Sequence, residues 1–218
     1  MRRVIKGEEP VAFTSWKELE SEEWKPAYAN LQNPQKQELH ASLLREQGRT
    51  CCYCGREIDL DTSHIEHFRP QHPYIALSLD YENLFASCIR ETDPGSPLHC
   101  GHLKGNWFDE QSYISPLDQD CELQFSYTLD GQIISQTPAA STMIDVLGLG
   151  KTFLGARRND ALAGVFDDQF LTTVSIQDLR KIVVAFREQH GGDFTPLFHV
   201  IARYAEQLIA SAAHSGNS

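Results

Sequence analysis

The chain lacks any apolar run near the roughly 18–20 residues that a membrane-spanning helix requires. No apolar stretch follows its basic start, MRRVIKGEEP, so a secretory leader is not expected and the cytoplasm is the expected compartment. Positive charge is also scarce. Nineteen Lys and Arg stand against 30 Asp and Glu, for a formal net charge of −11. A freestanding, high-affinity nucleic-acid binder is normally basic. If a phosphodiester is the substrate, a divalent cation, a local basic patch or a partner subunit must offset the repulsion. Internal repeats and low-complexity segments are absent. What remains is a chain of 218 residues, 41% hydrophobic and 22% charged, which suits one globular core with a small appendage.

Punctuation divides the chain into three stretches. Residues 1–50 read as helical: Ser15 and Glu18 have capping-box spacing ahead of Trp24, and Pro34 opens a second helix with Leu39 and Leu43 on one face and Gly48 at its stop. Residues 51–110 hold every cysteine but Cys121 and five of the nine histidines, among short apolar pieces broken by Asn and Pro. Residues 111–218 contain, at 121–135, CELQFSYTLDGQIIS, a hairpin pattern turning at Asp130-Gly131. Helices follow from about residue 140. Ser175 and Asp178 cap one that carries Ile182, Val183 and Phe186 and ends at Gly191-Gly192. Thr195 and Pro196 open a last one through Ile201, Tyr204 and Leu208, with a fraying tail.

Six cysteines in an intracellular chain point to metal ligation or buried thiols rather than disulfides. Cys51 and Cys54 form a Cys-x-x-Cys pair, a spacing that brings two thiolates from one turn to one tetrahedral ion. Cys88 and Cys100 are the candidates for the second pair, with His99 as a substitute ligand. The segment between them is long and rich in turn formers, Asp93-Pro94-Gly95 and Pro97. Cys52 and Cys121 are read as non-ligands. A structural Zn²⁺ on the four would fix a loop-rich module too small to bury enough surface by itself.

HIEHFRP (64–70), Asn83 and GHLKG (101–105) lie within the same region. These residue types suit one-metal hydrolysis of a phosphodiester. Glu66 can bind a hard cation, Mg²⁺ or Mn²⁺, and His102 can complete that site. His67 titrates near neutrality and can take a proton from the attacking water. Asn83 can hold the imidazole or brace the loop. Arg69 and Lys104 can grip phosphate oxygens. His64 and His72 read as supporting or solvated residues.

The order of these pieces resembles the HNH endonuclease family. EQGRTCCYCGREI, HIEHFRP, YENLFASC, CGHLKGN and DCELQFSYTLDGQI together look like the HNH proteins that include PtuB, the nuclease subunit of the Septu antiphage system, and retron-associated relatives. MRRVIKGEEP and TMIDVLGLGKTFLGARR are similar too, so the likeness runs to about residue 165. It implies an α+β chain in which a zinc-stabilised ββα-metal module is inserted among helices. It places Glu66 where the family has an acidic metal ligand, His67 at the general base and Asn83 at the middle Asn. It implies a PtuA-like ATPase partner and an antiphage role, cutting DNA or an RNA such as tRNA. Two departures stand out. The Cys88–Cys100 gap is expanded, and Gly101 occupies the place where many members carry the last His or Asn, with His102 one position on.

Two rival readings remain. One is a non-catalytic zinc-knuckle adaptor, which would have no need of a carboxylate beside a histidine. The other is a different zinc hydrolase using His64 and His67, disfavoured because their spacing is not the four-residue helical one and Pro70 is close.

Overall fold

In the computed structural model, which describes residues 1–88 and 95–215, two short antiparallel hairpins are set among helices, an α+β arrangement. Helices α1 (Val11–Lys17) and α2 (Gln35–Glu46) come first. The first hairpin pairs β1 (Ser63–His67) with β2 (Leu84–Cys88), in register from Ser63 opposite Cys88 to His67 opposite Leu84. A five-residue helix, α3 (Cys100–Lys104), follows it. The second hairpin joins β3 (Phe125–Tyr127) to β4 (Ile133–Ser135), turning where Asp130-Gly131 predicts, with Gly131 at φ +84°. The remainder is helical: α4 (Pro138–Val146), α5 (Thr152–Ala163), α6 (Asp168–Thr173), α7 (Ile176–Arg187) and α8 (Phe198–Ser215).

Several boundaries follow the expected chemistry. Pro34 precedes α2, whose Leu39, Leu43 and Leu44 are buried, and Gly48 past its end takes φ +51°. The Ser175 hydroxyl accepts from the Asp178 amide to cap α7. Three boundaries differ. Ser15 and Glu18 do not cap a helix: Pro10, with φ −64°, starts α1, so Ser15 falls inside it and Glu18 closes it. Proline's fixed φ suits a helix start better than a hydroxyl further along, and the Pro10 carbonyl accepts from the amides of Phe13 and Thr14. Helix α7 stops at Arg187 because Glu188 is extended; Gly191 and Gly192 serve the later turn between His190 and Asp193. Helix α8 starts at Phe198 because Leu197 sits in the left-handed region at φ +60°. The expected tail is helical to Ser215, while residues 216–218, and the Asp93-Pro94 part of the expected turn, lie outside the described residues.

One buried apolar cluster extends from Met1 and Val4 through Leu39, Tyr53 and Phe85 to Met143, Val200 and Ala205, so all three stretches of sequence contribute to it. Polar side chains stitch its layers. The Gln47 amide donates to the Ala86 carbonyl and accepts from the Ala86 amide, at 2.9 and 2.8 Å, and so pairs with β2 as a further strand would. Arg2 is buried and donates to the Gln47 carbonyl at 2.6 Å and to Thr50, while its guanidinium faces Phe194 and Phe198 at 5.1 Å from each ring. The chain's start is thereby fixed to the end of α2 and the approach to α8.

Gly55 is the tightest point between the cysteine turn and α8. It has φ +74°, and a Cβ there would lie 2.2 Å from Cε1 of His199. Gly191 has φ +66° with open space around it. Gly55→Ala is expected to cost about 2–4 kcal/mol, the sum of left-handed strain and overpacking. Gly191→Ala, with strain alone, should cost about 1 kcal/mol. Urea unfolding of both variants measures the difference, and equal losses would show that the His199 contact yields freely.

Candidate functional site

The turn after α2 positions the first cysteine pair. The Gly55 amide donates to the Cys51 carbonyl and the Cys51 amide to the Arg56 carbonyl, which closes residues 51–56 into a tight loop. Cys88 ends β2 and Cys100 begins α3. Their four sulfurs all lie within 4.8 Å of one another, with Cys51–Cys100 at 3.9 Å and Cys54–Cys88 at 3.7 Å. A zinc ion about 2.3 Å from each of four thiolates sets sulfur–sulfur edges of about 3.8 Å, so the spacing fits a tetrahedral ion. The Cys88 amide points at the Cys51 sulfur at 3.4 Å. His99 is buried, with Nε2 3.3 Å from the Cys88 sulfur, beside the four-sulfur group and outside it. Cys52 and Cys121 are buried and do not belong to the four-sulfur group, as expected.

The protonation of this cluster supports a cation. Burial opposes ionisation of Cys51, but hydrogen bonds from Cys100 and its neighbours hold Cys51 well below the usual thiol range. Cys88 is favoured by a hydrogen bond from Cys100 yet ends well above that range, through its bonds to Cys51 and Cys54 and its burial. Cys100 is pushed well above it by burial and by Cys51. One thiolate therefore suppresses the others. Four together require a positive ion, and the donor set is one that zinc prefers.

Strand alternation separates the next residues. Successive side chains of β1 face opposite ways, so Glu66 and His67 are adjacent in sequence and divided in space. The same alternation puts His64 and His67 on opposite faces, which removes them as a joint ligand pair. Glu66 is 6% exposed and its oxygens are taken: Lys104 Nζ at 2.8 Å and the Tyr53 hydroxyl at 3.1 Å meet Oε1, and His64 Nε2 at 3.1 Å meets Oε2. Burial alone would raise this carboxyl. The His64 hydrogen bond and the Lys104 charge outweigh it and hold the group below its ordinary value. Lys104 also donates to the His67 carbonyl at 3.0 Å and the Gly105 carbonyl at 3.4 Å. Its buried ammonium thus ties α3 to β1 and is not presented to a phosphate, contrary to the sequence expectation.

Gly101 has a local cause. A Cβ on it would stand 2.2 Å from Glu66 Oε2 and 2.9 Å from His64 Nε2, so a larger residue at this point and the buried carboxylate exclude each other. The His102 ring lies 4.5 Å from that of His64, and burial followed by the His64 charge lowers its pKa. Among the described residues, the four cysteines are the only set of three or more Cys, His, Asp or Glu close enough to hold a metal. Glu66, His64 and His102 do not form a second such set in this arrangement. A hard cation would have to compete with Lys104 for Glu66.

His67 closes β1 on the other face. Its Nε2 is 3.1 Å from the Ser78 carbonyl. A carbonyl only accepts, so the proton resides on Nε2 and Nδ1 carries the basic lone pair. Burial lowers its pKa by more than the Ser78 bond raises it. Tyr28 meets the imidazole edge-on, ring centroids 4.4 Å apart. Asn83 braces the loop rather than the imidazole: its Oδ1 accepts from the Arg69 amide at 2.7 Å, and its Nδ2 donates to the carbonyls of Arg69 and Leu77. Since Leu77 precedes Ser78, Asn83 fixes the carbonyl that orients His67. Arg69 lies over the Phe108 ring at 5.2 Å, 3.7 Å from Glu110, with a third of its side chain exposed. His72 is exposed, as expected. Tyr53, Ser78 and Tyr28 were not singled out from sequence. Tyr53 carried a signal, its place inside the Cys-x-x-Cys turn; Ser78 acts through its backbone and carried none.

Two measurements test this arrangement. Elemental analysis of the purified chain should give about one zinc per molecule, and Cys88→Ser should lower it; a metal-free protein with unchanged melting would remove the structural-ion reading. Glu66→Ala should cost about 3–5 kcal/mol, because it leaves Lys104 buried without its partner. Glu66→Met combined with Lys104→Met should recover most of that loss in the same unfolding assay. Against known proteins, no family model matches the chain and no curated protein matches it.

Proposed function

We propose that the chain is an HNH-type nuclease in which His67 is the general base. One observation carries the reading: the Ser78 carbonyl fixes the proton on Nε2, so a buried, neutral imidazole is left with Nδ1 as its proton acceptor. In hydrolysis, Nδ1 takes a proton from water, the water oxygen bonds to phosphorus as the P–O ester bond breaks, the leaving oxygen takes a proton from solvent, and Nδ1 then returns its proton to solvent. The order β1, β2, α3, with four cysteines joining the turn before β1, the end of β2 and the start of α3, agrees with the zinc-stapled ββα module that the sequence resembles. Glu66 acts here as a positioning residue, through Lys104 to the His67 carbonyl. A catalytic Mg²⁺ or Mn²⁺ does not fit the present donor set, since the Glu66 oxygens are already engaged, and no step is assigned to it.

By the same resemblance the substrate is DNA or an RNA such as tRNA, and an ATPase subunit of PtuA type supplies affinity in an antiphage complex. No helix among the described residues is long and apolar enough to cross a membrane. A second reading has one observation in its favour. The saturated Glu66 is what a zinc-knuckle adaptor would retain purely for stability.

Cleavage of DNA and tRNA by the purified chain, with and without its ATPase neighbour and with added Mg²⁺ or Mn²⁺, separates the two. His67→Ala should reduce cleavage by about 10²–10⁴-fold while retaining zinc. Because the fold lowers the His67 pKa, the wild-type rate should rise with pH along a limb below about 6.5 and be level above it. Wild-type cleavage by His67→Ala with zinc still bound would remove His67 as the base, and no cleavage by the wild-type chain under any of these conditions would leave the adaptor reading standing.

A further inference from the structure

A groove of about 500 Å³ lies beside His67, between the first half of α2, the turn at Tyr28, the loop at Leu60 and Asp61, and β1. Half of its lining, Tyr28, Asn33, Lys36, Gln37 and His40, comes from the N-terminal helical stretch; the other half, drawn from residues 60–65, includes His64 of the catalytic region. Tyr28 forms the wall shared with His67. Lys36 Nζ stands 5.0 Å over the Tyr28 ring, and among the described residues no carboxylate pairs with it. Asn33 and Gln37 are exposed at the rim and present amide donors and acceptors. The combination is an aromatic surface, one unpaired cation and two hydrogen-bonding amides, and the aromatic ring is the one that touches His67.

We infer that this groove receives one unstacked nucleotide of a single-stranded nucleic acid, its base against Tyr28 and its phosphate on Lys36, next to the bond that is cut. The inference rests on the nuclease reading above. Its volume lies within the roughly 300–1,000 Å³ of small-molecule clefts, enough for one splayed nucleotide. A duplex is read the other way, by protein elements that enter its grooves. Stacking on an aromatic ring with a nearby cation is how single strands are held without regard to sequence, and amides at the rim can read a base edge. Lys36 also answers the charge problem locally, since its positive field reaches His67 and opposes protonation of the base.

The test uses the full chain and fluorescent dT12 and rU12 at low salt. Binding is measured in a His67→Gln background, whose amide keeps a donor for the Ser78 carbonyl and prevents turnover. Adding Lys36→Gln should weaken binding and make the slope of log K against log salt shallower by about 0.7, the loss of one single-strand phosphate contact. Tyr28→Ala should weaken it roughly 5- to 150-fold, the scale of one stacked base. Lys181→Gln, on the exposed face of α7, should change neither. In the cleavage-competent chain Lys36→Gln should raise KM more than it lowers kcat. A preference for rU12 or dT12 identifies the sugar the groove accepts.

Oligonucleotide binding that Lys36→Gln and Tyr28→Ala leave unchanged would overturn the groove and leave the nuclease reading intact, as would an absence of binding alongside cleavage. Duplex DNA bound as tightly through the same two residues would overturn the single-strand assignment. Groove-dependent binding with no cleavage under any condition would instead overturn the nuclease reading and uphold the groove.

Discussion

Four thiols packed so that every sulfur lies within 4.8 Å of the others cannot all lose their protons unless a cation stands among them. The rest of the site depends on that constraint. The cysteines come from the turn before β1, the end of β2 and the start of α3, segments too short to hold one another by burial. Helix α3 has five residues, well under the length at which a helix persists by itself in water, and its first residue is Cys100. A metal bound to Cys100 would fix that first turn, and Lys104 four residues later would then reach Glu66 and the His67 carbonyl. The path from such an ion to His67 would thus be one turn of helix and one buried ion pair.

The second constraint is the two-residue period of a strand. Glu66 and His67 read together in sequence as a metal ligand beside a base. In β1 they are assigned to different surroundings: Glu66 to a closed network of Lys104, Tyr53 and His64, His67 to the Ser78 carbonyl and the Tyr28 ring. The consequences are opposite. The carboxylate is held ionised but fully occupied, and the imidazole is held neutral with one nitrogen committed to a carbonyl. Gly101 follows from the first of these, because the space a side chain would fill is where the carboxylate lies.

Features fixed by residues near in sequence could be read directly. The Cys51-x-x-Cys54 turn, the Asp130-Gly131 hairpin, the Ser175 cap and the apolar face of α2 each need only local chemistry. The pairing of Cys88 with Cys100 was also legible, because thiols are few and a tetrahedral ion needs four donors. What escaped depends on tertiary partners. Lys104 looks like a phosphate ligand until the buried Glu66 is placed opposite it. Ser78 matters through a carbonyl that every residue possesses. The Ser15-Glu18 pattern failed for a local reason, competition from Pro10, which starts α1 upstream of it. Arg2, two residues from the chain's start, gave no sign that it would be buried between two phenylalanines.

Net charge acquires a different meaning once the cations are located. Arg2, Lys104 and Arg158 are buried, and their charges are spent on internal carbonyls and on Glu66 rather than shown to solvent. Lys6 is likewise occupied by Glu46 at 2.5 Å. Glu66 and Glu122 are buried as well, so the buried charges nearly balance and the surface keeps a net negative charge close to the formal −11. Long-range attraction of a polyanion is correspondingly poor, and long-range fields are in any case screened beyond about 10 Å at moderate salt. Any phosphate that reaches His67 must be held by the few cations close to it, Lys36 on one side and the partly exposed Arg69 on the other, or be delivered by a second protein. A surface of this kind disfavours indiscriminate binding of nucleic acid. On the proposed nuclease reading, contact at the site itself, rather than steering from a distance, would decide whether a strand is engaged.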